Sequence, residues 1–196
     1  MRTKWIVTAV VALSGMCAAA GVVIAAPGSG AATAAAGTGH ADHQEHHDHQ
    51  AELAQVRRAT ARFHDLDAAL AAGYELGWVN GSGNRIITGC VASPSGAMGY
   101  HYFNPQLMAD LTTDLLQPEA LVYAPGPEGQ LRLVAVEWIV RGANSNPPGV
   151  SEAPTLLGMP MHILVPPVGF YLTHAWVWQP NPSGMFADFN PKVSCT

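Results

Sequence analysis

The sequence is poor in charged residues, and the shortage is greatest for positive charge. Charged side chains make up 12% of the 196 residues, and nine lysines and arginines stand against fourteen aspartates and glutamates. A protein that holds a nucleic-acid backbone needs a concentrated basic surface to neutralise the phosphates. This chain has too few cations to form one, so we expect no nucleic-acid partner.

Short catalytic motifs are also missing. The sequence contains no glycine-rich phosphate loop, no Gly-x-Ser-x-Gly and no His-Glu-x-x-His, which are the motifs of nucleotide-binding proteins, serine hydrolases and zinc peptidases. Its three cysteines include no Cys-x-x-Cys pair, which argues against a cysteine-based metal site. The catalytic residues, if the protein is an enzyme, are therefore unknown from motifs.

The first 26 residues have the layout of a secretory signal peptide. Arg2 and Lys4 precede an apolar stretch over residues 5–13, and small residues accumulate up to Ala25 and Ala26. This order predicts cleavage after residue 26 and a protein that works outside the cytoplasm, secreted or in the cell envelope. It also predicts no stable membrane insertion after cleavage; a retained membrane anchor is the alternative.

Two cysteines remain once the signal peptide is removed. Cys17 leaves with the signal, whereas Cys90 and Cys195 stay in the mature chain. An oxidising compartment favours a bond between such a pair, so we predict a disulfide. Two free thiols or a cysteine-containing metal site are the alternatives.

The composition of residues 27–50 predicts a disordered linker that ends in a histidine-rich tract. Five of the nine histidines of the chain fall within ten residues: His40, His43, His46, His47 and His49. Such a tract binds divalent transition metals loosely, because imidazoles and neighbouring carboxylates combine in many ways. A solvated tail with no specific role is an equally open interpretation.

Residues 51–196 predict one globular α+β domain. A single apolar stripe predicts a helix over residues 51–72, and Gly73 ends it. Turn-forming residues separate short β-prone runs, and a second short helix is predicted over residues 107–116. The runs cover residues 85–91, 98–103, 120–123, 131–140, 161–165 and 170–178. We predict an N-terminal helix packed on a curved, mainly antiparallel sheet or partly closed β-barrel.

Polar side chains interrupt the apolar faces of four predicted strands. Because side chains alternate between the faces of a strand, Glu137 shares a face with Leu133, Ala135 and Ile139. The other three interruptions are His101, His162 and His174. A buried carboxylate needs a charge partner, a raised pKa or a metal.

These four residues are the ingredients of a site for one metal ion. Imidazoles and a carboxylate that project from neighbouring strands can converge on one ion, and Zn or Cu fits both this donor set and an exported protein best. We therefore predict a metal site formed by His101, Glu137, His162 and His174, with catalysis left open. The alternative is that each polar group is a satisfied core residue.

Aromatic residues near the C-terminus suit a pocket for a small molecule. They are Phe170, Tyr171, Trp176, Trp178, Phe186 and Phe189. An ordinary core would use them equally well. A metal-free secreted module that binds a small ligand in an aromatic-lined pocket is thus the second functional hypothesis, and a structural envelope protein is the third.

Five phrases of the sequence resemble an uncharacterised family of secreted bacterial, actinobacteria-like proteins. They occupy residues 98–105, 118–123, 131–138, 174–178 and 181–195. They contain the strings G-x-H-Y-x-N-P, V-E-W and H-x-W-x-W followed by N-P-x-G-x-F. The resemblance runs from about Val56 to Cys195 and implies the boundaries of the domain, but it brings no activity.

Overall fold

The computed structural model describes residues 39–164 and 168–196, with side chains from His49 onward. The predicted signal peptide and the first part of the predicted linker lie outside the described residues. The described residues belong to one compact unit.

The helical part of the fold is a long helix followed by two short pieces. Helix α1 spans Gly39–Thr60, a 3-10 helix spans Ala61–His64, and α2 spans Leu66–Ala71. Asp65 has an extended backbone and caps α2 by accepting a hydrogen bond from the backbone nitrogen of Asp67 at 3.0 Å, so the single helix predicted over residues 51–72 is interrupted there. Residues 39–50 of the predicted linker are helical. In the described part of the chain, no helix combines the length and apolar character needed to cross a membrane.

An open antiparallel sheet forms the other layer and confirms the α+β class. Its strands are β1 Glu75–Leu76, β4 Val91–Ser93, β5 Gly96–Phe103, β6 Ala120–Pro125, β7 Leu131–Arg141, β10 His162–Leu164 and β11 Phe170–Ala175. They pair in the order β1-β5-β6-β7-β11-β10, with β4 also on β5. Two small ribbons complete the strands: β2 Trp78–Val79 with β3 Arg85–Ile86, and β8 Thr155–Leu156 with β9 Met159–Pro160. In place of the helix predicted over residues 107–116, the chain forms a 3-10 turn at Leu107–Ala109.

A bulge in β7 changes which residues share a face. The register between β6 and β7 shifts next to Val122 and Tyr123, where Val122 pairs with Ala135 but Tyr123 pairs with Leu133. An extra residue in one strand reverses the alternation on its far side. Leu133 therefore packs on the helix side of the sheet, although regular alternation predicts that it shares a face with Glu137.

Each face of the sheet carries its own apolar core. On the helix side, Val56 and Phe63 pack against Trp138 and other sheet residues. On the opposite side, Phe103, Ile139, Phe170 and Leu172 form a second cluster with Trp78 and Met108. His101, Glu137 and His174 also lie on this second side, away from the helices.

The predicted disulfide between Cys90 and Cys195 is confirmed. Their Cα atoms lie 5.7 Å apart and the bond joins positions 105 residues apart in the chain. A cross-link of this span contributes about 2–4 kcal/mol to the free energy of unfolding. Backbone hydrogen bonds between Ala97 and Asn190 hold the C-terminal segment along β5 as well.

Glu119 is a buried carboxyl group directly before β6. It is 1% exposed, and its Oε2 accepts a hydrogen bond from the backbone nitrogen of Ile139 at 2.8 Å. Burial raises the pKa of Glu119 to about 8, although hydrogen bonds from backbone groups counteract part of this effect. The side chain is therefore protonated at neutral pH in the folded protein.

This protonation predicts a dependence of stability on pH. The folded state holds a proton on Glu119 up to about pH 8, whereas the unfolded state releases it near pH 4.5, so stability falls as the pH rises between these values. The slope is about 1.4 kcal/mol per pH unit. Urea unfolding at several pH values within this window should show a steeper decline for the wild type than for Glu119→Gln, which mimics the protonated carboxyl. Equal slopes for the two proteins would contradict this interpretation.

Candidate metal centre

Three strands bring His101, Glu137 and His174 to one place on the sheet. His174 of β11 lies directly opposite Glu137 of β7 in the antiparallel register. His101 of β5 is one strand further away, since β6 runs between β5 and β7. Ala120 of β6 lies opposite Glu137. Its small side chain leaves room for His101 and Glu137 to meet across β6.

The three side chains are in contact and shielded from solvent. Nδ1 of His174 lies 2.9 Å from Oε1 of Glu137, and Nε2 of His101 lies 3.5 Å from the same oxygen. One donor atom from each residue lies within 4.8 Å of the other two. The residues are 3%, 2% and 0% exposed for His101, Glu137 and His174, so this group is part of the protein interior.

The two histidines keep the carboxyl group of Glu137 ionised. Burial by itself raises the pKa of this group, but the charge and hydrogen bonding of His101 and the corresponding interactions of His174 outweigh it. The pKa of Glu137 is therefore held well below its usual value of 4.5. The group thus presents an anionic oxygen between two imidazoles, the chemistry that a divalent cation requires.

The distances among these donors match those around a bound metal ion. Zinc binds histidine nitrogen and carboxylate oxygen at about 2.0–2.2 Å, which places neighbouring ligand atoms roughly 3–3.5 Å apart. The two measured separations of 2.9 and 3.5 Å fall close to this range. The buried His101–Glu137–His174 cluster therefore brings together a donor set that could hold a metal ion.

Two imidazole nitrogens of the cluster have no hydrogen-bond partner. Nδ1 of His101 and Nε2 of His174 are buried and unpaired among the described residues. Buried polar atoms are nearly always satisfied, so such exceptions call for an explanation. They are not the nitrogens that face Glu137, so a metal ion bound beside the carboxylate would leave both of them unpaired as well.

The comparisons with known proteins assign no family. No protein-family model, no curated protein and no solved structure matches the chain.

His162, the fourth predicted ligand, does not join the cluster. It lies on the edge strand β10, and its Nε2 is 3.1 Å from Oδ1 of Asp188. Its side chain is 46% exposed. The hydrogen bond and charge of Asp188 raise the pKa of His162, against a smaller opposing effect of burial. His162 faces the same side of the sheet as Leu172, its partner in the register, but an edge position leaves it in solvent contact.

An apolar cavity of about 260 Å³ adjoins the cluster. Its polar lining consists of His101 and Glu137, and its apolar lining is Ile87, Val91, Met98, Phe103, Ile139, Leu164, Val168, Phe170 and Leu172. Only Phe170 comes from the aromatic residues singled out in the sequence. The strand predicted over residues 170–178 ends at Ala175, and Trp178 beyond it donates a hydrogen bond to Oγ1 of Thr60 at 3.2 Å on the helix side.

Sequence patterns give weak signals for the remaining cavity residues. Ile87 directly follows the short strand β3, Val91 is the first residue of the short strand β4, and Val168 lies in a connection before β11. Phe103, Ile139 and Leu172 are easier to find. Each lies two residues along its strand from a member of the cluster, and strand alternation places such residues on the same face.

Proposed function

We propose that this protein is exported and binds one transition-metal ion through His101, Glu137 and His174. The observation that carries the proposal is the convergence of two imidazoles and an ionised carboxylate in the core, with donor separations of 2.9 and 3.5 Å. The three residues lie in β5, β7 and β11, so their arrangement is fixed by the sheet and not by one flexible loop.

The donor set favours Zn or Cu in an exported protein. Imidazole nitrogen suits both metals, and a carboxylate completes the charge balance of a divalent ion. Two histidines and one carboxylate also form the ligand set of nonhaem iron proteins, so metal analysis has to include Fe. The Cys90–Cys195 bond supports the extracytoplasmic location, since such bonds persist in oxidising compartments.

Three protein donors leave at least one position on the ion for another ligand. Structural zinc sites use four protein ligands, whereas catalytic sites use three and keep a position for water or substrate. The cavity lies beside two of the three donors. The centre that we propose is therefore of the exchangeable type, and an ion held there can bind and activate a small molecule.

The experiment is elemental analysis of the purified mature protein after saturation with Zn, Cu or Fe and removal of the excess. Adventitious binding by the histidine-rich tract is avoided by replacing its five histidines with glutamine, which preserves helix-forming residues in α1. We expect about one equivalent of a single metal in this background. Replacing His101 by alanine should reduce the affinity at least about tenfold, because a direct ligand is lost.

His162→Asn is the matched control, since it removes a histidine on the same side of the sheet that lies outside the cluster. It should leave the metal content unchanged. A protein that binds no stoichiometric metal in the tract-substituted background would refute the proposal. Equal losses for His101→Ala and His162→Asn would refute the assignment of the ligands.

A further inference from the structure

The cavity beside the cluster is polar at one end and apolar along its length. His101 and Glu137 belong to the polar end. Two residues along the same strands, Phe103 and Ile139 point to the same side and form apolar walls, and Leu172 does so on β11. The described residues contribute no lysine or arginine to the lining. An organic anion would therefore find no lysine or arginine to pair with among these residues.

The size of the cavity limits what it can hold. A cavity of about 150 Å³ accepts benzene, and this one measures about 260 Å³. In proportion to its volume, the cavity can hold a molecule of roughly ten non-hydrogen atoms, such as one ring with a short substituent. The rings of Phe103 and Phe170 are both part of the lining and favour contact with a flat or aliphatic body.

The rim of the cavity contains a residue in an unfavourable backbone conformation. Ile87 has a φ of 56°, in the left-handed region that β-branched residues rarely adopt. Such conformations persist where the surrounding structure requires them and are concentrated at ligand sites. A glycine or an asparagine would adopt this backbone conformation more easily. The chain instead has an isoleucine here, whose aliphatic side chain lines the cavity.

We propose that the cavity binds a neutral, largely apolar molecule of about this size, whose single oxygen or nitrogen atom reaches the metal ion. This inference rests on the proposed metal centre for the polar contact. The apolar lining supplies affinity through burial, and the metal fixes which end of the molecule enters first. The protein would accordingly act on, or carry, a small neutral phenol, alcohol, ketone or comparable compound.

Two probe molecules test the polar contact. Methyl groups of Ile139 and Leu172 can be followed by NMR while metal-loaded protein is titrated with 4-methylphenol or with toluene, which has the same body but no oxygen. We expect both probes to shift these methyl signals. The phenol should bind about tenfold more tightly than toluene to the metal-loaded protein, and this advantage should disappear when the metal is removed.

A pair of substitutions on β10 tests the location. Leu164 is 40% exposed and lines the cavity, whereas its neighbour Ile163 is 45% exposed and pairs with Tyr171 on the other face of the sheet. Leu164→Trp should obstruct the cavity and weaken 4-methylphenol binding about tenfold. Ile163→Trp adds the same bulk to the same strand and should leave the binding unchanged.

The metal content of each sample separates the two proposals. Absence of metal from the wild type would refute the metal centre. Metal-loaded protein whose Ile139 and Leu172 signals do not respond to either probe would refute the binding cavity alone. Equal effects of Leu164→Trp and Ile163→Trp would also refute it, and equal affinities for 4-methylphenol and toluene would refute the contact between ligand and metal.

Discussion

Replacing Glu137 by alanine is expected to lower the free energy of unfolding of the metal-free protein by about 3–5 kcal/mol. Glu137 is 2% exposed, and its carboxylate faces His101 and His174, which already have one unpaired nitrogen each. Removing the carboxylate leaves two buried imidazoles without their common partner. It also opens a gap in the centre of the sheet, and both effects destabilise the folded state.

Chemical unfolding in the presence of a chelator measures this loss without a contribution from metal. Glu137→Gln should be less harmful than Glu137→Ala, because the amide oxygen still accepts a hydrogen bond from an imidazole. The control is Glu75→Ala, which breaks the exposed ion pair with Arg85 at 2.6 Å. Exposed pairs contribute about 0–1 kcal/mol. A loss for Glu137→Ala no larger than that of the control would show that the cluster is not important for folding.

Gly99→Ala should be about equally damaging, with an expected loss of about 4 kcal/mol or failure to fold. Gly99 lies in β5, two residues before His101, and has a φ of 128°. A Cβ at this position would overlap the backbone carbonyl oxygen of Tyr123 on the adjacent strand. Neither a strand backbone nor its carbonyl can move far without breaking the ladder between β5 and β6.

Two other glycines separate the steric effect from the conformational one. Gly83 has a φ of 78° but open space around its Cβ position, and Gly89 has open space and no such backbone constraint. Gly83→Ala should therefore cost about 1–2 kcal/mol, and Gly89→Ala close to none. Thermal or urea unfolding of the three variants gives the comparison. If Gly99→Ala were no worse than Gly83→Ala, the close approach of β5 and β6 would not be a strong constraint.

Strand periodicity was sufficient to predict most of the candidate site. Glu137 and His174 each interrupt an apolar row, and such an interruption has to be satisfied by a partner in the core. The strand order that makes them direct neighbours could not be read from the sequence, because pairing between β7 and β11 depends on contacts far apart in the chain. The same limitation explains His162. Its pattern resembles that of His174, but its strand lies at the edge of the sheet, where a histidine stays in contact with water.

Local irregularities account for most of the remaining differences. The bulge in β7, opposite Val122 and Tyr123 of β6, moves Leu133 to the helix side of the sheet. Regular alternation of side chains along a strand cannot predict such a bulge. Glu119 was missed because it precedes its strand and so interrupts no apolar row. Aspartate is a frequent helix N-cap, so the start of a new helix at Asp65 could have been predicted from the sequence. The apolar stripe continues across Asp65, however, and predicts one helix.

The position of the three donors along the chain determines when the site can form. His101 lies in β5 and His174 in β11, and the hydrogen bond between His174 and Glu137 alone spans 37 residues. A chain that emerges N-terminus first, from a ribosome or through a membrane, cannot complete the donor set until β11 has emerged and paired with β7. In the metal centre that we propose, capture of the ion would therefore be one of the last steps of maturation. For an exported protein, the ion that is loaded would then be chosen by the metals present in the compartment where folding ends, not by those where synthesis begins.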